Sequence, residues 1–231
     1  MSPRPTERAP IDVVRAERED QALRHEIAGR PLFDALARYH ARMDALVAEA
    51  LGGAAIACGP GCATCCHQPL LVSFLELAAI FFSDERRFGS PEFRRALSQS
   101  NRALARWKKE AGAEGAVGVA RRQFASRAPC VLLGEGGRCT AYAVRPFLCR
   151  NAVADAVCTF ASLGSYGFGD LAALARRLRQ RLVETYALER FDRPPVRVAT
   201  AVFHLPEGLA WFADHAPRGE LRATFARPDA P

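Results

Sequence analysis

The feature that most constrains this chain is the placement of its eight cysteines. Cys58, Cys62, Cys65 and Cys66 form one block, and Cys130, Cys139, Cys149 and Cys158 form a second, so all eight fall within residues 58–158 of 231. Cysteines scattered through a core for packing would not segregate so completely. The opening MSPRPTERAPIDVVRAERED lacks the apolar stretch of a secretory signal, so a cytoplasmic, reducing setting is expected. In that setting, clustered thiols read as metal ligands or redox groups rather than structural disulfides. The Cys62-x-x-Cys65 spacing lets two thiolates reach one ion at about 2.3 Å. Gly59, Pro60 and Gly61 add a bend just before it. All eight cysteines are therefore candidate metal ligands, with His67 as a substitute ligand or a hydrogen-bond donor behind the ligands.

Two further points follow from neighbouring residues. Cys65 and Cys66 are adjacent, and in an extended segment their side chains would diverge. That favours two metal sites or a polynuclear centre over one four-cysteine knuckle. Arg138, Arg145 and Arg150 flank Cys139 and Cys149, where they would offset the negative charge of thiolates around a metal.

Around the cysteines the pattern is mainly helical. Residues 1–10 read as a loose leader, with three prolines. Leu32, Leu36, Tyr39, Met43, Leu46 and Val47 recur at three- and four-residue steps, an amphipathic helix that Gly52-Gly53 ends. Ser73 and Glu76 form a capping box ahead of a short apolar helix through Phe82. Ser90-Pro91 opens the clearest helix, with Phe93, Leu97, Leu104, Trp107 and Ala111 on one side and Arg95, Arg102, Arg106 and Lys109 on the other. A glycine-spaced stretch (112–118) and a short helix near 119–126 follow. CVLLGEGGRCTAY (130–142) reads as a hairpin, two short strands around a Gly-Glu-Gly-Gly turn. A last amphipathic helix runs from Asp170 to about Leu188, then a strand at 196–203 and a short helix after Pro206. The expected fold is mainly α with a small β-hairpin element, a compact helical single domain around a cysteine-ligated metal centre. Its core would be 58–158, flanked by helical segments 11–57 and 165–231.

Having these residues in view, the two blocks resemble the CxxCxxCC cysteine-cluster family of zinc- or iron-chelating proteins. Cys62, Cys65 and Cys66 match its first block; Cys130, Cys139, Tyr142, Arg145, Pro146, Cys149 and Arg150 match its second. Cys58 is displaced by one residue, and Cys158 belongs to an extension found in some members. The resemblance covers about 58–158. It implies metal chelation through the cysteines, with zinc or iron as cofactor and an iron–sulfur cluster among the forms iron would take. A related cysteine cluster in flagellin lysine methylases implies, more distantly, an iron–sulfur centre that accompanies methyl transfer from S-adenosylmethionine.

Other chemistries are weaker on the residues themselves. Cys58-x-x-x-Cys62-x-x-Cys65 has the spacing of a radical S-adenosylmethionine loop, but the repeated βα units of such enzymes are missing from the pattern, and Thr64 stands where an aromatic is usual. A Rossmann-type methyltransferase needs a strand followed by a glycine-rich loop and a helix; GPG at 59–61 lies inside the cysteine block, and GSYGFGD at 164–170 follows no convincing strand. Cys66-His67 is an adjacent pair, whereas catalytic thiol–imidazole pairs are assembled across a fold. The chain carries a net charge of +7, concentrated in residues 84–127 with 11 Lys/Arg against 5 Asp/Glu. That segment would suit an acidic protein or another anionic partner. Nucleic acid is not favoured, because Phe93 and Trp107 lie on the apolar face rather than among the arginines. No apolar run reaches the length of a transmembrane span. The sequence thus points to a metal-binding protein chelating zinc or iron, with an iron–sulfur-dependent enzyme modifying a protein side chain as the alternative. It names no catalytic residue.

Overall fold

The computed structural model describes residues 11–53, 56–58, 61–154, 158, 169–186, 188, 190–192, 195–197 and 201–216. In chain order its first half holds α1 (Val13–Ile27), α2 (Leu32–Leu51), β1 (Leu71–Ser73), α3 (Phe74–Ser83), α4 (Glu85–Phe88) and α5 (Pro91–Ala111). Then come α6 (Gly115–Ser126), α7 (Phe147–Asn151), α8 (Gly169–Thr185), β2 (Arg190–Asp192), β3 (Pro195–Arg197), β4 (Val202–His204) and α9 (Leu205–His215). The described residues are mainly helical, as the apolar periodicity implies, and they include two small antiparallel pairs. No helix among the described residues is long and apolar enough to cross a membrane.

The helices expected from sequence form for the expected reasons. α2 buries Leu32, Leu36, Tyr39, Met43, Leu46 and Val47, and Gly52 ends it at φ +57°, a left-handed position that a Cβ disfavours. Ser90 accepts the Phe93 amide at 3.2 Å to cap α5, whose buried residues are the five that form its apolar stripe. In α8, Leu171, Leu174, Leu178 and Leu182 are fully or nearly fully buried. α1 carries little apolar signal, because its buried residues are only Asp20, Leu23 and Ile27. It is started by Asp12, which accepts the Arg15 amide at 2.7 Å. It is held to α8 by Arg181, whose guanidinium reaches both Asp20 oxygens at 3.0 and 2.7 Å. The Arg181 hydrogen bond keeps the Asp20 carboxyl below its usual range despite partial burial.

Three local expectations are corrected. The helix expected near 119–126 starts earlier, inside the glycine-spaced stretch: α6 begins at Gly115, and Gly118 lets α6 lie against α5, since a Cβ there would sit 2.9 Å from that of Ala111. The 130–142 hairpin shrinks to a turn with a single bridge, Leu133 to Cys139, because glycines at 134, 136 and 137 leave no side chains to build a ladder. The 196–203 strand is divided: Pro195–Arg197 pairs with β2, while β4 pairs with β1 in the register Leu71–His204, Val72–Phe203 and Ser73–Val202. The expected leader at 1–10 and most of GSYGFGD lie outside the described residues.

One core runs through α1, α2, α3, α8 and α9. α9 closes on α3 through Phe74 and Phe212, with ring centres 5.0 Å apart. Gly208 makes this approach feasible, because a Cβ there would lie 2.3 Å from a Leu77 methyl. A buried polar group sits inside this core. Glu76, 3% exposed, accepts from the Phe147 amide at 2.8 Å and the Ser73 amide at 3.0 Å. Arg179 approaches Glu76 at 3.8 Å and donates to the Tyr39 hydroxyl at 3.3 Å. Glu76 is thus both half of the capping box of α3 and the anchor for the first amide of α7. Through that second bond the core fixes the helix that carries Cys149.

Candidate metal centre

Backbone hydrogen bonds bring the two cysteine blocks together. The Cys130 amide donates to the Cys66 carbonyl at 2.7 Å, and the Ala57 amide to the Ala154 carbonyl at 2.8 Å. The Thr64 hydroxyl donates to the Cys158 carbonyl at 3.1 Å, which gives this residue a role inside the cluster. Gly61 and Gly137 meet where the loops cross: a Cβ on Gly137 would stand 2.9 Å from the Gly61 carbonyl oxygen, and Gly137 itself adopts φ +71°. Within the second block, the Gly134 amide bonds Arg138 and the Thr140 amide bonds Leu132, both at 2.8 Å, closing the turn that carries Cys139. Pro146 then starts α7 and sets Cys149 on its first turn.

All eight cysteines are free thiols, each partly buried. Their electrostatic neighbours fall into two sets. Cys65, Cys66, Cys130, Cys139 and Cys149 act on one another. Cys58 feels Cys62, Cys158 and Cys65. Cys65 belongs to both. Among the described residues, no three His, Cys, Asp or Glu side chains already converge on a point that would hold an ion.

The adjacency expectation is corrected here. Thr64–His67 is a 3₁₀ turn rather than an extended segment, so the alternation that would send Cys65 and Cys66 to opposite faces does not apply. Interaction between the two thiols holds Cys65 below the ordinary thiol range and, together with burial, Cys66 above it. Burial, together with the neighbouring thiols, raises Cys130 to about 11 and pushes Cys149 further up. Burial also raises Cys58, against the opposing effect of the Ala154 amide, which donates to its sulfur at 3.2 Å. The Leu132 amide points to the Cys130 sulfur at 3.5 Å. Such amide donors stabilise thiolates and tune thiolate-held metals.

Arg145 and Arg150 separate in a way that sequence position does not show. Arg150 turns away into the protein, bonding Asp44 and the carbonyls of Arg145 and Ala143, with its side chain 3% exposed. Arg145 is the cation of the cluster: its charge favours the ionised forms of both Cys65 and Cys149. Its guanidinium also lies 4.0 Å from the centre of the Tyr142 ring, so Tyr142 holds it in place. The carbonyl of Ala63 accepts from His67 Nδ1 at 3.1 Å, consistent with the imidazole bracing the turn from behind.

The donor set suits a borderline or soft metal. Sulfur ligands in this number select zinc, iron or iron–sulfur clusters over the hard cations that prefer oxygen. Part of the basic charge of 84–127 is spent within the chain, through Arg94–Asp214 at 2.8 Å and Lys108–Glu207 at 2.6 Å, which fasten α5 to α9. No curated protein and no solved structure matches the chain. A family model does match, over residues 57–162, and its description is CxxCxxCC, putative zinc- or iron-chelating domain. The segment that backbone bonding gathers together is thus the one that matches the CxxCxxCC model, carried between the helices that pack around it.

Proposed function

We propose that the protein binds zinc or iron through Cys58, Cys62, Cys65, Cys66, Cys130, Cys139, Cys149 and Cys158, in a two-part centre joined at Cys65. The observation that carries this reading is that two cysteine blocks more than 60 residues apart are hydrogen-bonded into one cluster of free thiols. Cys65, Cys66, Cys130, Cys139 and Cys149 form the richer set, and Cys58, Cys62 and Cys158 the other. Binding asks the thiol side chains to turn inward on a backbone that is already assembled. Each ligand must lose its proton, so loading releases protons and tightens as pH rises. Cys65 is the thiol most ready to ligate, and Arg145 offsets the charge that accumulates. Zinc would act as a structural tie across the blocks, whereas an iron–sulfur cluster would add electron transfer. The thiol-rich site fits a reducing, cytoplasmic compartment.

Anaerobic purification followed by metal and acid-labile sulfide analysis, with an absorption spectrum, tests this directly. Stoichiometric zinc in a colourless protein identifies a zinc module and removes the iron–sulfur enzyme, lysine methylase included. Iron with labile sulfide in a brown protein removes the zinc form. Cys65→Ala and Cys66→Ala, made separately, should each lower metal content by at least half, and Cys65→Ala should lower it more than Cys158→Ala. Unchanged metal content in both single variants would overturn the assignment.

A further inference from the structure

α5 and α6 form a helical pair inserted between the two cysteine blocks, and they carry a small apolar core of their own. Leu104, Trp107, Ala111 and Val119 pack there, apart from the main core. Between this pair and the segment leading into Cys130 lies a cavity of about 410 Å³. That volume is within the range of small-molecule sites, roughly 300–1,000 Å³. Leu104, Trp107 and Val131 give it an apolar wall. Gln68, Ser100, Gln123 and His204 supply hydrogen-bonding groups. Cys130 forms part of the lining.

Two properties define what the cavity would accept. Although a quarter of the chain is charged, none of the described residues lining the cavity is Lys, Arg, Asp or Glu. A charged ligand would therefore be desolvated without a counter-charge, at high cost. The second property is an unused polar atom. His204 Nδ1 is buried and has no hydrogen-bond partner among the described residues. Burial first, then the nearby Lys108 charge, lowers the pKa of this imidazole, against the opposing charge of Glu207. The cavity has firm borders, because Lys108–Glu207 and the bond from Asn101 Nδ2 to the Pro206 carbonyl at 3.3 Å hold α5 against α9.

We propose that this cavity is a binding site for an uncharged organic molecule with a flat apolar body and an amide-like edge. The body lies along Trp107 and Leu104, and the edge is read by side-chain amides, Ser100 and His204. Its place beside Cys130, whose amide bonds the Cys66 carbonyl, sets the ligand against the thiol cluster. Only this last relation rests on the metal reading, and the site itself does not need a metal.

The test uses the full chain, as purified and after metal removal, with 2-naphthamide as probe and 2-naphthoate and 2-naphthamidine as charged counterparts. Saturation-transfer NMR should show 2-naphthamide binding at least ten times more tightly than either counterpart. Filling the cavity by Ser100→Trp or Ala96→Phe should weaken it at least tenfold, with the helical circular dichroism unchanged. Equal binding of all three probes, or no binding to the unmodified chain at millimolar probe, would overturn the proposal whatever the fate of the variants. Retained binding in a folded, filled variant would do the same. Metal analysis is read separately, so loss of the metal reading and loss of this site are distinguishable outcomes.

Discussion

His40 shows how one buried side chain makes the fold sensitive to acid. It is 4% exposed on α2, and its Nε2 is buried with no hydrogen-bond partner among the described residues. Burial, aided by the Arg150 charge, lowers its pKa to about 4, and Glu76 and Asp44 oppose this only in part. The folded pKa lies below the unfolded value, so the unfolded chain takes up the proton first as pH falls. The neutral histidine's contribution is complete above about pH 6.5 and is lost toward pH 4. The full loss corresponds to about 3 kcal/mol, at roughly 1.4 kcal/mol for each tenfold difference in proton affinity between the folded and unfolded chain. Denaturant unfolding from pH 7 to pH 4 should show this steep decline in the natural chain. His40→Asn should flatten it by the share that His40 contributes, and parallel curves for the two proteins would refute the assignment. At the same scale, Cys65 and Cys66 show that a local turn can remove the premise of an inference drawn from adjacency: the segment is a 3₁₀ turn, not an extended strand, and the two thiols act on each other.

Among the structural elements, the crossing of Gly61 and Gly137 is the joint between the cysteine blocks. Gly137 has a positive φ and no room for a Cβ, with the Gly61 carbonyl oxygen at 2.9 Å from where it would sit. Gly29 has a similar φ of +67° but open space around it. A side chain at either position meets the left-handed cost of about 1–2 kcal/mol. Only Gly137→Ala also forces the loops apart. We expect Gly137→Ala to lower stability by about 2–3 kcal/mol and metal content with it, whereas Gly29→Ala should cost about 1 kcal/mol and leave metal content unchanged. Thermal unfolding and metal analysis of the two variants check this, and equal behaviour would show that the crossing is not a joint. The α5–α6 pair makes a second point about elements. Its basic outer face is the conspicuous side in the sequence, yet other cations of the pair fasten it to α9 or to itself, through Arg94–Asp214 and Arg122–Glu114. Its inner face borders the cavity beside Cys130.

Across the whole molecule, Glu76 couples the helical core to the thiol cluster. Its carboxylate is shared by the Ser73 amide at the start of α3, the Phe147 amide at the start of α7 and Arg179 on α8. Truncation would leave two amides and a largely buried guanidinium without their partner. Losing one side of such a buried pair costs about 3–5 kcal/mol. Glu76→Ala should therefore lower the unfolding free energy by about that amount. It should also speed alkylation of Cys149 more than that of Cys62, since α7, which carries Cys149, loses its anchor, whereas among the described residues the Cys62 loop makes no bond to Glu76. Urea unfolding and mass-resolved thiol labelling of the folded fraction measure both effects. A uniform increase at the two cysteines would instead indicate general loosening.

The sequence by itself determined the elements with strong local signals. The stripes of α2, α5 and α8, the caps at Ser73 and Ser90, and the stop at Gly52 depend on side-chain period and backbone preference within one or two turns. The identity of the candidate ligands was legible for the same reason, because cysteine is rare and its clustering needs no geometry to be noticed. What the tertiary structure decided depends on residues far apart in the chain. Arg145 faces the thiols while Arg150, in the short helix that follows, enters the core. β1 pairs with β4 from the far end of the chain, and Asp20, on a helix with little apolar pattern, finds Arg181 on α8. No periodicity encodes such meetings. Electrostatic and packing energies act through space, and only the folded chain determines which charges and sulfurs share that space.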